Sequence, residues 1–294
     1  MTLDGIETEY LAWLLRQPLA EQTRHTYQQW VRKYLHFLCH YPAAYGDPLV
    51  DPNARDYAIR DFKAHLKTVQ RLQPASVNVA LAALDHFYQH FQQLGAPHVR
   101  RESLPQQAPR ALTPEEQKRF LRAVDRHRVV RDRAIAILLF YTGLRISECV
   151  ALNVDDITVS DRKGRVIVRQ GKGDRYREIP LNAPARHALT QWLGERKVAS
   201  GDAEQPALFL ARSGQRLARR TIDVLIRQLG HAAGVELSAH VLRHTCFTNL
   251  IRQGQDVVLV AEIAGHQRLD TTRRYSLPSA QDREAAMDGL AIDI

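Results

Sequence analysis

Hydrophobic residues recur at helical spacing through the first hundred positions. Tyr10, Leu11, Leu14 and Leu15 form one face, and Tyr27, Trp30, Val31, Tyr34, Leu35 and Leu38 extend a second over three turns. A Pro/Gly/Asp-rich stretch between Tyr41 and Pro52 breaks the pattern. Ile59, Phe62, Leu66 and Val69 make a third face; Val77, Leu81, Leu84, Phe87, Tyr88, Phe91 and Leu94 make a fourth, ended by Gly95 and Pro97. The pattern predicts a compact helical domain over residues 1–104.

Residues 105–112 have no helical period and carry prolines and glutamines, which reads as an interdomain linker. Thr113-Pro114-Glu115-Glu116 then predicts a helix start: Thr113 as cap, Pro114 at the first helical position and Glu116 completing a capping box. The second domain, 113–294, is mixed. Asp132 to Leu139 predicts an apolar helix ended by Gly143. Val166–Val168 and Tyr176–Leu181 read as two strands around a turn at Gly171-Lys172-Gly173-Asp174, with Leu208–Leu210 a candidate third strand. Helical patterns follow at 184–197, 219–233, 241–253 and 257–264, and Ala280, Ala285, Ala286, Met287 and Leu290 continue one into the tail. The fold class expected is mainly α with a small antiparallel β-sheet in the C-terminal domain (α+β).

Charge sharpens this division. Of a net +9, residues 1–104 hold 11 Lys+Arg against 10 Asp+Glu, and residues 105–294 hold 30 against 22. A basic excess confined to the second domain suits a polyanion, though a solvated basic surface accounts for charge alone equally well. The cysteines, Cys39, Cys149 and Cys246, are far apart, odd in number and without metal or redox spacing, which fits a reducing cytosol. The N-terminus has no signal-peptide pattern, and no apolar run approaches the roughly 18 residues of a membrane span.

Six polar residues carry candidate chemistry. Arg145 lies in TGLRISE, three before Glu148, so the two share a helical face. Lys172 sits at the hairpin turn, in a GlyLysGly run that lacks the further residues of a Walker loop. His240 and Arg243, in SAHVLRHT, are one helical turn apart; His266 follows Gly265, and Tyr275 comes nine residues later. Two arginines, a lysine and two histidines can hold and polarise one phosphate, and a tyrosine offers an oxygen nucleophile. Singly, each has a plainer reading: a surface ion pair, a turn lysine, a packed aromatic. His240, His244 and His266 also allow a zinc reading, but Val241 stands where a zinc-protease motif needs Glu.

In order and spacing the six resemble the tyrosine recombinases, or integrase family, including its HxxRH box. The likeness covers about residues 113–280 well, the N-terminal part more loosely, and Xer-type members most of all. It implies a core-binding domain and a catalytic domain forming a clamp around duplex DNA, with no arm-binding domain. Tyr275 would attack a phosphodiester and become joined to the 3′-phosphate. Arg145, Arg243 and His266 would stabilise the non-bridging oxygens, Lys172 would be general acid and His240 general base, and Glu148 would support the site. Arg169, Arg175 and Arg177, flanking the turn, and Arg273 and Arg274, beside the nucleophile, would contact DNA. No cofactor or metal is implied. Partners would be DNA with an inverted-repeat site and a tetramer of this chain, alone or with a related recombinase, exchanging strands through a Holliday junction, with the tail docking into a neighbouring copy or else on its own domain. Type IB topoisomerases share the chemistry, and a non-enzymatic DNA-binding protein could share the fold.

Overall fold

In the computed structural model of the chain, the residues described are 3–40, 46–104, 110–169, 176–200, 205–266, 269–278, 284 and 287. Two compact units divide it at residues 1–105 and 106–294.

The first unit is four helices: α1 (Leu3–Leu15), α2 (Glu21–His40), α3 (Pro52–Thr68) and α4 (Pro74–His86). Asp51 caps α3 by accepting from the Asn53 N–H, and Pro52 supplies the preset φ of a first helical residue. The fourth expected face is one helix to His86 and then a π turn over Phe87–Phe91. Phe87 and Tyr88, the first residues of that turn, are both fully buried. The Tyr34 and Tyr88 hydroxyls pair at 2.9 Å inside the core, so neither phenol is left unsatisfied. Arg55, 2% exposed, donates to the carbonyls of Leu94 and Gly95 and pairs with Asp56, fastening the segment after α4.

The second unit begins earlier than the sequence pattern suggests. Leu112 is buried and its N–H donates to Thr245 Oγ1 at 2.9 Å, while Arg110 pairs with Glu116. Leu112, which the sequence pattern places in the linker, is thus held in this unit by burial; 105–109 lie outside the described residues. Helix α5 (Pro114–Asp125) opens with the expected capping box, both Thr113 and Glu116 bonds being made. Helix α6 (Val130–Thr142) is apolar on nearly every side and fills the centre of the core, with Ala134, Ile135, Leu138 and Leu139 at 0% exposure. Gly143 ends it in the left-handed conformation, φ 61°.

After α7 (Ile146–Ala151) and a 3₁₀ turn come β1 (Ile157–Val159), β2 (Gly164–Val168) and β3 (Arg177–Pro180). They form an antiparallel sheet in the order β1-β2-β3, with Val166 opposite both Ile157 and Ile179. The third strand is thus β1, and Leu208–Leu210 makes no strand. Ala207 and Leu210 form isolated bridges to Asn153 and Arg216 instead, and residues 207–210 are all buried. Helices α8 (Ala183–Ser200), α9 (Arg219–Ala233), α10 (Ala239–Arg252), α11 (Val257–Ala264) and α12 (Leu269–Arg273) complete the unit, followed by a 3₁₀ turn at Arg274–Ser276. Of the tail pattern only Met287 lies within the described residues. No helix among the described residues is long and apolar enough to cross a membrane.

Candidate active site

Three helix ends meet at the site, and the chain's turns decide which side chains face it. The Gly143 turn leaves α6 and brings Arg145 to the N-cap position of α7 with extended backbone, φ −70° and ψ 151°. Glu148, three residues on, accepts the Arg145 backbone N–H at 2.9 Å and its guanidinium at 2.6 Å. This is a helix-capping contact that also orients the side chain, and the acidic group sits favourably at the positive end of the helix.

Ser238 caps α10 through its hydroxyl, which accepts from the Val241 N–H. His240 is then exposed, and Arg243, one turn on, points inward at 3% exposure. Arg243 donates to the Gly143 carbonyl, to the Ala264 carbonyl (2.7 Å) and to His266 Nε2 (3.1 Å), and its guanidinium lies 4.7 Å over the Phe247 ring. Burial, and next the Arg145 charge, bring Arg243 down to about 10, so it remains cationic at neutral pH.

Helix α11 ends at Gly265, φ 65°, which turns the chain so that His266 faces Arg243. Since a guanidinium only donates, His266 Nε2 is the acceptor and Nδ1 carries the proton, donated to Thr272 Oγ1 at 2.8 Å. Burial, followed by Arg243 and Arg145, lowers His266 to about 4. In this arrangement His266 orients Arg243. Donating to a phosphate oxygen through Nε2 needs the other tautomer or a second proton. Both ring nitrogens are engaged, which speaks against a zinc-ligand role, and no group of three metal-binding side chains occurs among the described residues.

Tyr275 is 6% exposed, with its ring stacked on His266 (centroids 5.9 Å) and edged by Phe247 and His244. Burial raises its phenol above the ordinary value, while Arg243, Arg145 and Arg274 pull the other way. Although His240 is exposed as a residue, partial desolvation of its ring, and then Arg243, lower its pKa and favour the neutral imidazole. The His244 ring touches both, at 4.1 Å from His240 and 5.3 Å from Tyr275 by centroids.

The structure thus brings together Arg145, Glu148, His240, Arg243, His266 and Tyr275. Lys172 and Arg175 lie outside the described residues. Arg273 and Arg274 are exposed beside the tyrosine, and Arg169 is exposed while paired with Asp156. Arg177, expected to contact DNA, is corrected: it is 7% exposed and forks onto Glu148, because the pleat of β3 turns it to the same buried face as Ile179. Two contributors escaped the sequence reading. Thr272, 0% exposed, bonds His266 Nδ1 and holds the ring in place, and Phe247 is the platform under Arg243.

Comparison with known proteins covers both units. The phage integrase family profile matches residues 110–281, and that of the phage integrase N-terminal SAM-like domain matches residues 9–95. Tyrosine recombinase XerA of Pyrococcus furiosus is 30% identical over 263 residues, 88% of this chain and 86% of that one. XerA of Thermococcus kodakarensis is 31% identical over 283 residues, 95% and 93% of the two chains. Among solved structures, the XerH site-specific recombinase bound to palindromic difH, a post-cleavage complex, superposes with TM-score 0.73 at 22% identity, covering 90% of this chain and 79% of that one.

Proposed function

The chain belongs to the phage integrase family, and on that premise we propose how its own residues break and rejoin DNA at a specific site. The observation that carries the reading is the convergence of two inward-facing arginines, a histidine and a tyrosine from three separate helix ends. Such a set neutralises charge on a pentacoordinate phosphate without a metal ion, since the protein's cations occupy the space around the non-bridging oxygens.

Tyr275 Oη attacks the scissile phosphorus. The Oη–P bond forms, the bond from phosphorus to the 5′-oxygen breaks, and the protein is left joined to the 3′-phosphate. His240 takes the phenolic proton, and Lys172 gives one to the departing 5′-oxygen. Arg145 and Arg243 hold the two non-bridging oxygens, and His266 keeps Arg243 aimed until phosphate arrives. The 5′-hydroxyl of a second DNA end then attacks the phosphotyrosine by the reverse route. Because the ester bond is conserved, no nucleotide cofactor is consumed.

Arg169, Arg175, Arg273 and Arg274 meet the DNA backbone in this reading. The DNA carries an inverted-repeat site, and four copies exchange strands through a Holliday junction in the cytoplasm. Support for strand exchange over same-strand religation comes from the helical first unit matching the integrase SAM-like domain.

The test is covalent trapping. Tyr275→Phe protein binds site DNA as wild type does and yields no SDS-resistant adduct on a nicked duplex. Adduct at the wild-type rate from the Phe variant removes Tyr275 as the nucleophile.

A further inference from the structure

Four carbonyls end α11, and each needs a donor that the helix cannot supply. Ala261 and Glu262 are met by the backbone N–H groups of His266 and Gly265. The other two are met by arginines from distant parts of the chain. Arg243 takes Ala264, and Arg177 takes Ile263 through Nε at 2.9 Å. Arg177 does more than cap. Its two terminal nitrogens reach Glu148 Oε2 at 2.7 Å and Oε1 at 3.2 Å, and Glu148 in turn holds Arg145 through both backbone and guanidinium. The guanidinium lies so close to Gly265 that a Cβ there would sit 3.0 Å from Nη1.

We propose that Arg177 is a positioning residue that ties the two halves of the phosphate clamp together. Through Glu148 it sets Arg145, and through the Ile263 carbonyl it sets the turn that carries His266. The proposal rests on the recombinase reading above. All three of its nitrogens bond to the protein and the residue is only 7% exposed, which turns it away from a DNA phosphate. Glu148 fits the same account. Burial pushes its carboxyl up, but Arg177 and then Arg145 outweigh this and hold it below the usual range, so the bridge is charged at neutral pH. Lysine could keep the charge but not the three-pronged geometry.

The test uses the full chain and a duplex that wild-type protein selects from a random DNA library as SDS-resistant adducts. If wild type selects nothing, the recombinase reading fails and this proposal falls with it. The selected duplex is then made with either a normal scissile phosphate or a methylphosphonate, which lacks one of the charges the arginines neutralise. Arg145→Ala sets the scale of relief on the second substrate. Arg177→Lys is expected to form adduct about 100-fold slower on phosphate, the cost of roughly an ångström of misplacement. On methylphosphonate it should recover in parallel with Arg145→Ala, with unchanged DNA affinity. Equal slowing on both substrates would mean general loosening and overturn the proposal. So would unimpaired adduct formation, or weaker binding with a salt slope reduced by about one, the mark of a lost phosphate contact. If circular dichroism shows Arg177→Lys unfolded, Glu148→Gln carries the same prediction, and uniform loss in that variant overturns it.

Discussion

Gly143→Ala is a change of one methyl group that should disturb the active site from behind. Gly143 has φ 61°, where a side chain costs about 1–2 kcal/mol. A Cβ built there lies 2.6 Å from Phe247 Cζ and 3.0 Å from Cε2, about an ångström inside ordinary contact. The Phe247 ring is fully buried and must push into its surroundings, an overpacking cost of about 1–3 kcal/mol. Together these remove ~2–5 kcal/mol, a large part of the about 5–15 kcal/mol that holds a domain folded. The thermal midpoint of the second unit should fall on the order of 10 °C. The same ring supports Arg243, and the Gly143 carbonyl accepts from Arg243, so the guanidinium moves with the strain. Adduct formation by the folded fraction should drop about 10- to 100-fold. Calorimetry and trapping on a nicked duplex measure the two effects. Leucine at 247 lacks the clashing ring atoms, so Gly143→Ala/Phe247→Leu should be less destabilised than the sum of its single changes. Additive losses, or a Gly143→Ala midpoint within about 2 °C of wild type, would refute the argument.

Two further outcomes are expected. Lys172→Ala should cleave ordinary DNA slowly yet largely recover on a bridging 5′-phosphorothiolate, whose leaving group scarcely needs a proton; equal slowness on both would make Lys172 a contact and not the acid. Burial lowers His244 to about 3 and His266 to about 4, from 6.5, so the unfolded chain binds protons first as pH falls. Their contribution to stability is therefore complete above pH 6.5 and is lost progressively towards pH 4 and 3. His244→Phe should flatten the fall in thermal midpoint between pH 7 and pH 5 by several degrees, on the order of 1 kcal/mol after allowing for solvent screening, and a slope identical to wild type would count against it.

What could be read in advance was whatever local chemistry decides. The Thr113–Glu116 box, the Gly143 stop and the Arg145–Glu148 pair each involve groups within a few residues, and all three stand as the spacing implies. The order of the six polar residues pointed to the family because spacing along helices survives folding. Strand β1 was missed because three residues, with only Ile157 buried, are too few to show a period. Leu208–Leu210 misled because an apolar run says that a segment is buried, not that it is paired. Arg177 misled most, since a basic residue beside a turn reads as exposed. The signal was present all the same: Arg177 and Ile179 are two apart in a strand, and Tyr176 and Glu178 take the outer face. Thr272 and Phe247 gave no warning, because their work depends on segments that meet only after folding.

The burial of Tyr275 has a consequence for the protein's conduct away from its site. A phenol that is shut from solvent and held protonated is a poor nucleophile toward any phosphodiester it meets in passing. A protein with this charge brushes against a great length of irrelevant DNA for every correct sequence it finds. On the proposed mechanism, a tyrosine kept dormant in that traffic would make restraint the resting condition, and breakage of the strand an act reserved for the place where binding has already been committed.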